Sequence, residues 1–265
     1  MYSFCHIFLR VTERYNAIYR YFCCKIIFGM ALILIIETST EVCSVALCRD
    51  GKLVDLVESD QGQSHARLTT VFAEQLLSRN GIKPTELSAI AVSKGPGSYT
   101  GLRIGVSTAK GFCYASRIPL IAVGTLEAMA MHVAMNHAGY QIPDSKPTIY
   151  CPMIDARRME VFSMLLDGKG EILKPITAEI IDESFMTEEL STQQVVFFGN
   201  GSAKCSAVIK SPNALFIDAI AASAKHMIEL VWLAYTNKQF EDVAYFEPFY
   251  LKDFVATVSK KNMLG

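Results

Sequence analysis

The sequence predicts an α/β protein built from two copies of one unit, each running strand–strand–strand–helix–strand–helix. Three observations carry that expectation. A continuous apolar, β-branched run at 32–36 is followed by two more strand-like segments, the last two joined by the hairpin dipeptide Asp50-Gly51. A glycine loop, Gly95-Pro96-Gly97, sits between an apolar run and a helical pattern. The same order of patterns starts again at Thr148, after a Gly/Pro-containing linker at 139–147.

Taken in order, residues 32–36, 42–47 and 52–57 read as three meandering strands. Ser64 is placed to cap a helix ending at Arg79, with Leu68, Val71, Phe72, Gln75 and Leu76 sharing one face and Asn80-Gly81 stopping it. Residues 87–93 form a buried strand, 98–115 a helix, 119–123 a strand and 125–136 a helix. In the second unit, strands at 148–154 and 160–166 flank a tight turn at 155–158, and Asp167-Gly168-Lys169-Gly170 turns into a third strand. A helix at 184–190, a strand at 195–198, a turn at Asn200-Gly201 and a long helix capped by Asp218 and ending near Tyr235 complete it. The expected organisation is a first domain at 30–138 and a smaller second domain at 139–265, whose last helix packs back on the first.

Residues 1–29 stand apart from this pattern. They hold three Cys, four Tyr and four Phe, and Lys25 interrupts the apolar stretch that a secretory signal would need. The run at 26–36 is too short to span a bilayer. Met30 lies immediately before the first strand, so translation is expected to start there, with 1–29 a non-native or disordered extension.

The chain has a net charge of −1, and without 1–29, which carries four basic residues and one acidic, it has −4. A protein that grips nucleic acid unaided usually has a basic excess, because phosphate neutralisation supplies most of its affinity. Direct binding of nucleic acid by this chain alone is therefore disfavoured. The eight cysteines include no C-x-x-C pair and no Cys/His cluster with ligand spacing, so reduced, buried thiols in a cytoplasmic protein are expected, and no metal. His132 and His137 are five apart and do not share a helix face, and His65 and His226 each stand alone.

The densest signal runs from Ser93 to Gly105. It fits neither standard phosphate loop: Thr100-Gly101-Leu102 is not the Gly-Lys-Ser/Thr ending of a Walker loop, and Thr100 occupies the last glycine position of G-x-G-x-x-G. Gly101, Gly105, Thr108, Ala109 and Gly111 instead make an unusually small-sided helix. Each interior glycine costs about 1 kcal/mol relative to alanine, a cost tolerated where another backbone comes close. That backbone could belong to the chain itself or to a partner. Arg103, just after the loop, could be a solvated residue or could hold loop carbonyls or a partner carboxylate. Glu37, Thr38, Ser39 and Thr40 form a polar turn after the first strand: either a plain turn or a set of nucleotide contacts. The charged hairpin of Asp155, Arg157, Arg158 and Glu160 is either a solvated turn or a lining of the site.

The duplicated unit is the plan of the actin, sugar-kinase and heat-shock ATPase (ASKHA) superfamily. Within it, Ile36-Glu37-Thr38-Ser39-Thr40, Gly95 to Gly105, Ala109-Lys110-Gly111, Val123 to Ala128, Asp155-Ala156-Arg157-Arg158 and Pro248-x-Tyr250-Leu251 closely resemble the TsaB (YeaZ) family. The resemblance runs from about Met30 to Tyr250, with Tyr99 where phenylalanine is usual and Leu68-Thr69-Thr70 where the family has Leu-Leu-Pro. It implies a non-catalytic scaffold that pairs with TsaD, a metal-dependent threonylcarbamoyltransferase, is joined by the ATPase TsaE, and helps modify the adenosine beside the anticodon of tRNAs reading A-starting codons. It implies no cofactor of this chain's own, ATP being used by the complex, and a homodimer when the partner is missing. TsaD carries an H-x-x-x-H metal pair, whereas the corresponding helix here holds only His65. The family's dimer interface, carried over, falls on Leu68, Val71, Phe72, Gln75 and Leu76 of one helix and Gly101, Arg103, Gly105, Thr108 and Ala109 of the next. The alternative is an independent enzyme of the same superfamily, an ATP-dependent small-molecule kinase or a metalloprotease-like protein.

Overall fold

A computed structural model describes residues 30–60, 65–143, 146–218 and 220–252. The extension at 1–29 and the helix cap assigned to Ser64 lie outside the described residues. The first unit runs β1 (Leu32–Glu37), β2 (Cys43–Arg49), β3 (Lys52–Ser59), α1 (His65–Arg79), β4 (Ala89–Gly95), α2 (Tyr99–Ser116), β5 (Leu120–Gly124) and α3 (Thr125–Met135). The second runs β6 (Thr148–Asp155), β7 (Glu160–Asp167), β8 (Ile172–Ile180), α4 (Thr187–Thr192), β9 (Gln194–Phe198), α5 (Ser202–Cys205), β10 (Ala214–Ile217) and α6 (Ile228–Thr236).

The two sheets have one topology, β3-β2-β1-β4-β5 in the first and β8-β7-β6-β9-β10 in the second. In each, the first strand pairs antiparallel with the second and parallel with the fourth, as Ile35 does with Ala46 and Ala91. This is the duplicated unit of the actin and sugar-kinase plan. The repeat is more complete than the sequence suggests, because β10 is a strand parallel to β9 that the pattern misses: four residues of intermediate burial give no clean alternation.

Side chains of β1 divide by the two-residue period. Leu32, Leu34 and Ile36 enter a core with Phe72 and Leu76 of α1 and Val106 and Ala109 of α2. Ile33 and Ile35 face the other way, against Val231 and Trp232 of α6. So the last helix of the second unit covers the first sheet. Conversely, Leu126, Met129 and Val133 of α3 pack on Tyr150, Val196 and Phe198 of the second sheet. The exchanged helices tie the units together.

Two helix boundaries differ from expectation. Asp182 accepts hydrogen bonds from the Ser184 N–H (2.9 Å) and hydroxyl (2.6 Å), holding 182–185 as a turn, so the helix starts only at Thr187. Asp218 caps nothing. The chain from 220 to 223 crosses to the first sheet, where the Ala224 N–H donates to Ser44 Oγ (3.1 Å) and Ser223 Oγ donates to Glu58 (2.7 Å). A 3₁₀ turn, Ala224–Met227, then leads into α6.

Candidate functional site

The site forms where β1 meets the start of α2. Ser98 caps α2 by accepting from the Gly101 N–H, and its own N–H donates to the Ser39 carbonyl at 2.6 Å. Thr38 Oγ1 donates to the Gly101 carbonyl at 2.8 Å. A methyl group on Gly97 would overlap the Ser39 carbonyl, one on Gly101 the Thr38 carbonyl, and one on Gly105 the Thr38 hydroxyl. The backbone that comes close to these glycines therefore belongs to this chain. Gly111 differs: nothing lies within 4 Å of its missing methyl.

That close approach buries the polar turn. Glu37 is 1% exposed and Thr38 and Ser39 are 0% exposed. Glu37 Oε1 accepts from the Ser39 N–H at 2.6 Å and from Ser93 Oγ at 2.8 Å. Burial pushes the Glu37 carboxyl above the usual range, while the bonds from Ser39 and Ser93 oppose the shift. Of the four residues assigned to nucleotide contact, Glu37 and Thr38 are committed to internal bonds, while Ser39 and Thr40 line the neighbouring cleft. His65, too, is in use, donating from Nε2 to the Thr40 carbonyl at 2.9 Å and pinning α1 to the turn.

The assigned partner face separates into two groups. Phe72 and Leu76 belong to the core, and Gly101, Gly105 and Ala109 lie on the buried side of α2, so none of these five offers a surface. The correction follows from helix geometry: a stripe of small and apolar residues is what a helix turns toward its own sheet. Leu68 and Thr108 are half-buried, and Val71, Gln75 and Arg103 are exposed. Ala66 of α1 and Tyr99, Arg103, Ile104, Ser107 and Thr108 of α2 line a groove of about 430 Å³. On α2, Arg103, Ser107, Gly111 and Tyr114 form one exposed stripe, with Tyr114 85% exposed. Ser107, Gly111 and Tyr114 were not among the residues assigned to the partner face, although their spacing of four, eight and eleven from Arg103 was readable as one helix face.

A larger cleft of about 850 Å³ lies between the units. Its walls include Thr40, Ser98 and Tyr99 from the first and Asp155, Arg157 and Asn200 from the second. Asn200 bridges the walls, donating to Glu41 at 2.7 Å and accepting from the Asp155 N–H at 3.0 Å. The C-terminal segment crosses the mouth. The Phe249 N–H donates to the Lys94 carbonyl (2.7 Å), Tyr250 packs on Tyr99 with ring centroids 4.7 Å apart, and Lys252 pairs with Glu160. Arg103 lies over the far side of the Tyr99 ring, 5.1 Å from its centroid. Asp155 and Arg157 of the hairpin thus line the cleft, as one of the two readings of that turn supposed, whereas Arg158 and Glu160 do not line it. Slight burial works against ionisation of Asp155, but the Lys204 ammonium and the Arg157 N–H and charge hold its carboxyl below the usual range.

At the back of the molecule His132 and His226, distant in sequence, stack with centroids 4.2 Å apart. Burial, helped by Lys225, brings His132 down to about 4; burial, His132 and Lys225 bring His226 down to about 3. Among the described residues no group of three or more His, Cys, Asp or Glu is arranged to hold a metal, and no helix is long and apolar enough to cross a membrane. Cys43, Cys48, Cys113, Cys151 and Cys205 are free and buried.

Residues 58–260 match the family model of the tRNA N6-adenosine threonylcarbamoyltransferase TsaD. The tRNA threonylcarbamoyladenosine biosynthesis protein TsaB of Haemophilus influenzae is 30% identical over 234 residues, covering 84% of this chain and 94% of that protein. A tRNA N6-adenosine threonylcarbamoyltransferase of Nitratidesulfovibrio vulgaris is 39% identical, but over only 35% of this chain and 30% of that protein. Among solved structures, YeaZ from Pseudomonas aeruginosa superposes with a TM-score of 0.70 at 24% identity, covering 84% of this chain and 100% of that one.

Proposed function

The chain belongs to the TsaB family of tRNA threonylcarbamoyladenosine biosynthesis proteins, and on that premise we propose that it is the non-catalytic, partner-binding subunit that supports a TsaD-like transferase. One observation carries the reading: Glu37, Thr38 and Ser39, the turn that a kinase of this plan would offer to phosphate, are sealed beneath Gly97, Gly101 and Gly105. With the Glu37 carboxylate and the Thr38 hydroxyl held in internal bonds, neither is offered to a substrate. What α1 and α2 leave free is an outer face of Val71, Gln75, Arg103, Ser107, Gly111 and Tyr114, with the shallow groove between the helices. Two helical faces with an open position at Gly111 suit ridge-into-groove packing against helices of the partner. The match to TsaB over 84% of this chain and 94% of that protein, against 35% and 30% for the transferase of Nitratidesulfovibrio vulgaris, supports the same assignment. A TsaE-like ATPase and tRNA join through the complex, and the same face closes on a second copy of the chain when the partner is missing.

The test is reconstitution. Threonylcarbamoyl transfer to tRNA is expected only when this chain and the TsaD-like partner are both present; full activity of the partner alone would overturn the proposal. Interface variants must be chosen on the exposed stripe. A bulky residue at Gly105 would strike Thr38 and disturb the fold first. Val71→Asp with Ser107→Arg is expected to weaken the heterodimer at least tenfold by isothermal calorimetry while the melting temperature stays unchanged. Unaltered affinity would remove this face from the interface.

A further inference from the structure

Arg157 and Arg158 occupy an unusual backbone. Both have positive φ, 74° and 50°, two successive non-glycine residues in the left-handed region. Asparagine or glycine would meet that geometry with less strain, and hairpins select them for it. The turn is nevertheless firmly held. Asp155 Oδ1 accepts the Arg157 N–H at 2.8 Å, and Lys204 Nζ bonds the carbonyls of Arg158 and Glu160, each at 2.7 Å, as well as Asp155. An arginine pair at positions better suited to asparagine sets two cations at the tip of a fixed turn.

Those side chains are exposed, and neither makes an ion pair among the described residues. Of the neighbouring carboxylates, Asp155 pairs with Lys204 and Glu160 with Lys252, while Glu41 is hydrogen-bonded by the neutral Asn200 amide and keeps its charge. Around the hairpin, Arg157, Arg158, Lys204 and Lys252 thus stand against Asp155, Glu160 and Glu41, a local positive excess in a chain whose net charge is −1. Two exposed guanidiniums side by side on a fixed turn suit a ligand that presents successive anionic groups, a polyanion.

We propose that Arg157 and Arg158 contact the phosphodiester backbone of RNA, giving this subunit its own hold on the tRNA within the complex. The inference rests on the function proposed above for its setting, and it assigns a direct contact that net charge alone disfavours. Guanidinium pairs suit phosphate oxygens, and such contacts add affinity without reading sequence.

The experiment uses Arg157→Asn with Arg158→Gly, which removes both charges and suits the left-handed turn, so thermal stability is expected to hold or rise. Heterodimer formation with the TsaD-like partner is measured first. Binding of an unmodified tRNA that reads an A-starting codon is then followed by fluorescence anisotropy across a salt series, for the heterodimer and for the chain alone. The expected result is a roughly tenfold weaker Kd near 0.1 M salt and a salt slope reduced by about 1 to 2, one unit for each lost phosphate contact. Unchanged Kd and slope with an intact heterodimer overturn the proposal. So does a variant that loses a protein partner while its tRNA affinity stands, since the pair then serves protein docking. If the wild-type chain forms no heterodimer, the function reading fails, and the effect of the double substitution on tRNA binding by the chain alone still decides the arginine assignment.

Discussion

Gly101→Ala and Gly111→Ala differ only in position along α2, and their comparison tests what the glycines of this helix are for. At Gly101 the added methyl meets the Thr38 carbonyl, a backbone atom that cannot swing aside, and the displacement breaks the Thr38 Oγ1 bond to the Gly101 carbonyl. Overpacking of a filled core costs about 1–3 kcal/mol. Losing a buried hydrogen bond costs about 1–3 kcal/mol more. The gain in helix propensity returns about 1 kcal/mol. The net destabilisation is then about 1–5 kcal/mol, or a fall in Tm of about 2–20 °C for a chain of this size. At Gly111 nothing opposes the methyl, so the propensity gain stands alone and Tm rises by about 2–4 °C. Differential scanning calorimetry of the two variants reads both. If Gly101→Ala were neutral or stabilising, the argument that the glycine exists for the approach of the first turn would fail. Gly111→Ala has a second readout: a stabilised chain that binds the partner less tightly would show that this glycine serves the interface instead of the fold.

Three further outcomes follow from the geometry. His132 and His226 are neutral in the folded protein, with values of about 4 and about 3, and take up protons near 6.5 when unfolded. Their contribution is therefore lost as pH falls below 6.5, at up to about 1.4 kcal/mol per pH unit for each. Glu37, raised by burial, works in the opposite sense near its own titration, so His132→Phe is expected to flatten the slope of urea-unfolding stability between pH 6.5 and 4.5; an unchanged slope would exclude the pair. Lys204→Met removes three hydrogen bonds from the Asp155–Glu160 hairpin and is expected to cost about 2–3 kcal/mol. The Asp155 carboxyl should then rise toward its ordinary range in an NMR titration. Asn200→Ala cuts the link to Glu41 and frees the Asp155 N–H, costing about 1–2 kcal/mol in chemical denaturation.

Much of the fold was legible because its strands announce themselves. Residues 32–36 are apolar on both faces since helices cover both, and Asp50-Gly51 marks the hairpin between β2 and β3 directly. β10 was not legible, because four partly exposed residues at a sheet edge carry no period. Asp218 looked like a helix cap on residue type alone. The true start is set by Ser44 and Glu58, far away in sequence, which no local pattern contains. The stacking of His132 on His226 was invisible for the same reason. At the site, the glycines signalled a close approach but not of what. Only the packed structure shows that Gly101 and Gly105 receive Thr38 while Gly111 faces outward.

The two units differ in a way that bears on partner binding. Their sheets are the same, yet α1 and α2 have 15 and 18 residues whereas their counterparts α4 and α5 have 6 and 4. A two-helix surface needs several turns from each helix to present ridges and a groove. Only the first unit has them, so the duplicated fold offers that kind of surface once. Its second unit contributes a different element to the same side of the chain: the hairpin of Arg157 and Arg158, locked to Asn200, which in turn holds Glu41 in the loop that follows β1. Gly97, Gly101 and Gly105 let the turn at Thr38 and Ser39 come against α2, and that contact fixes where the helix and its outer stripe lie on the first sheet.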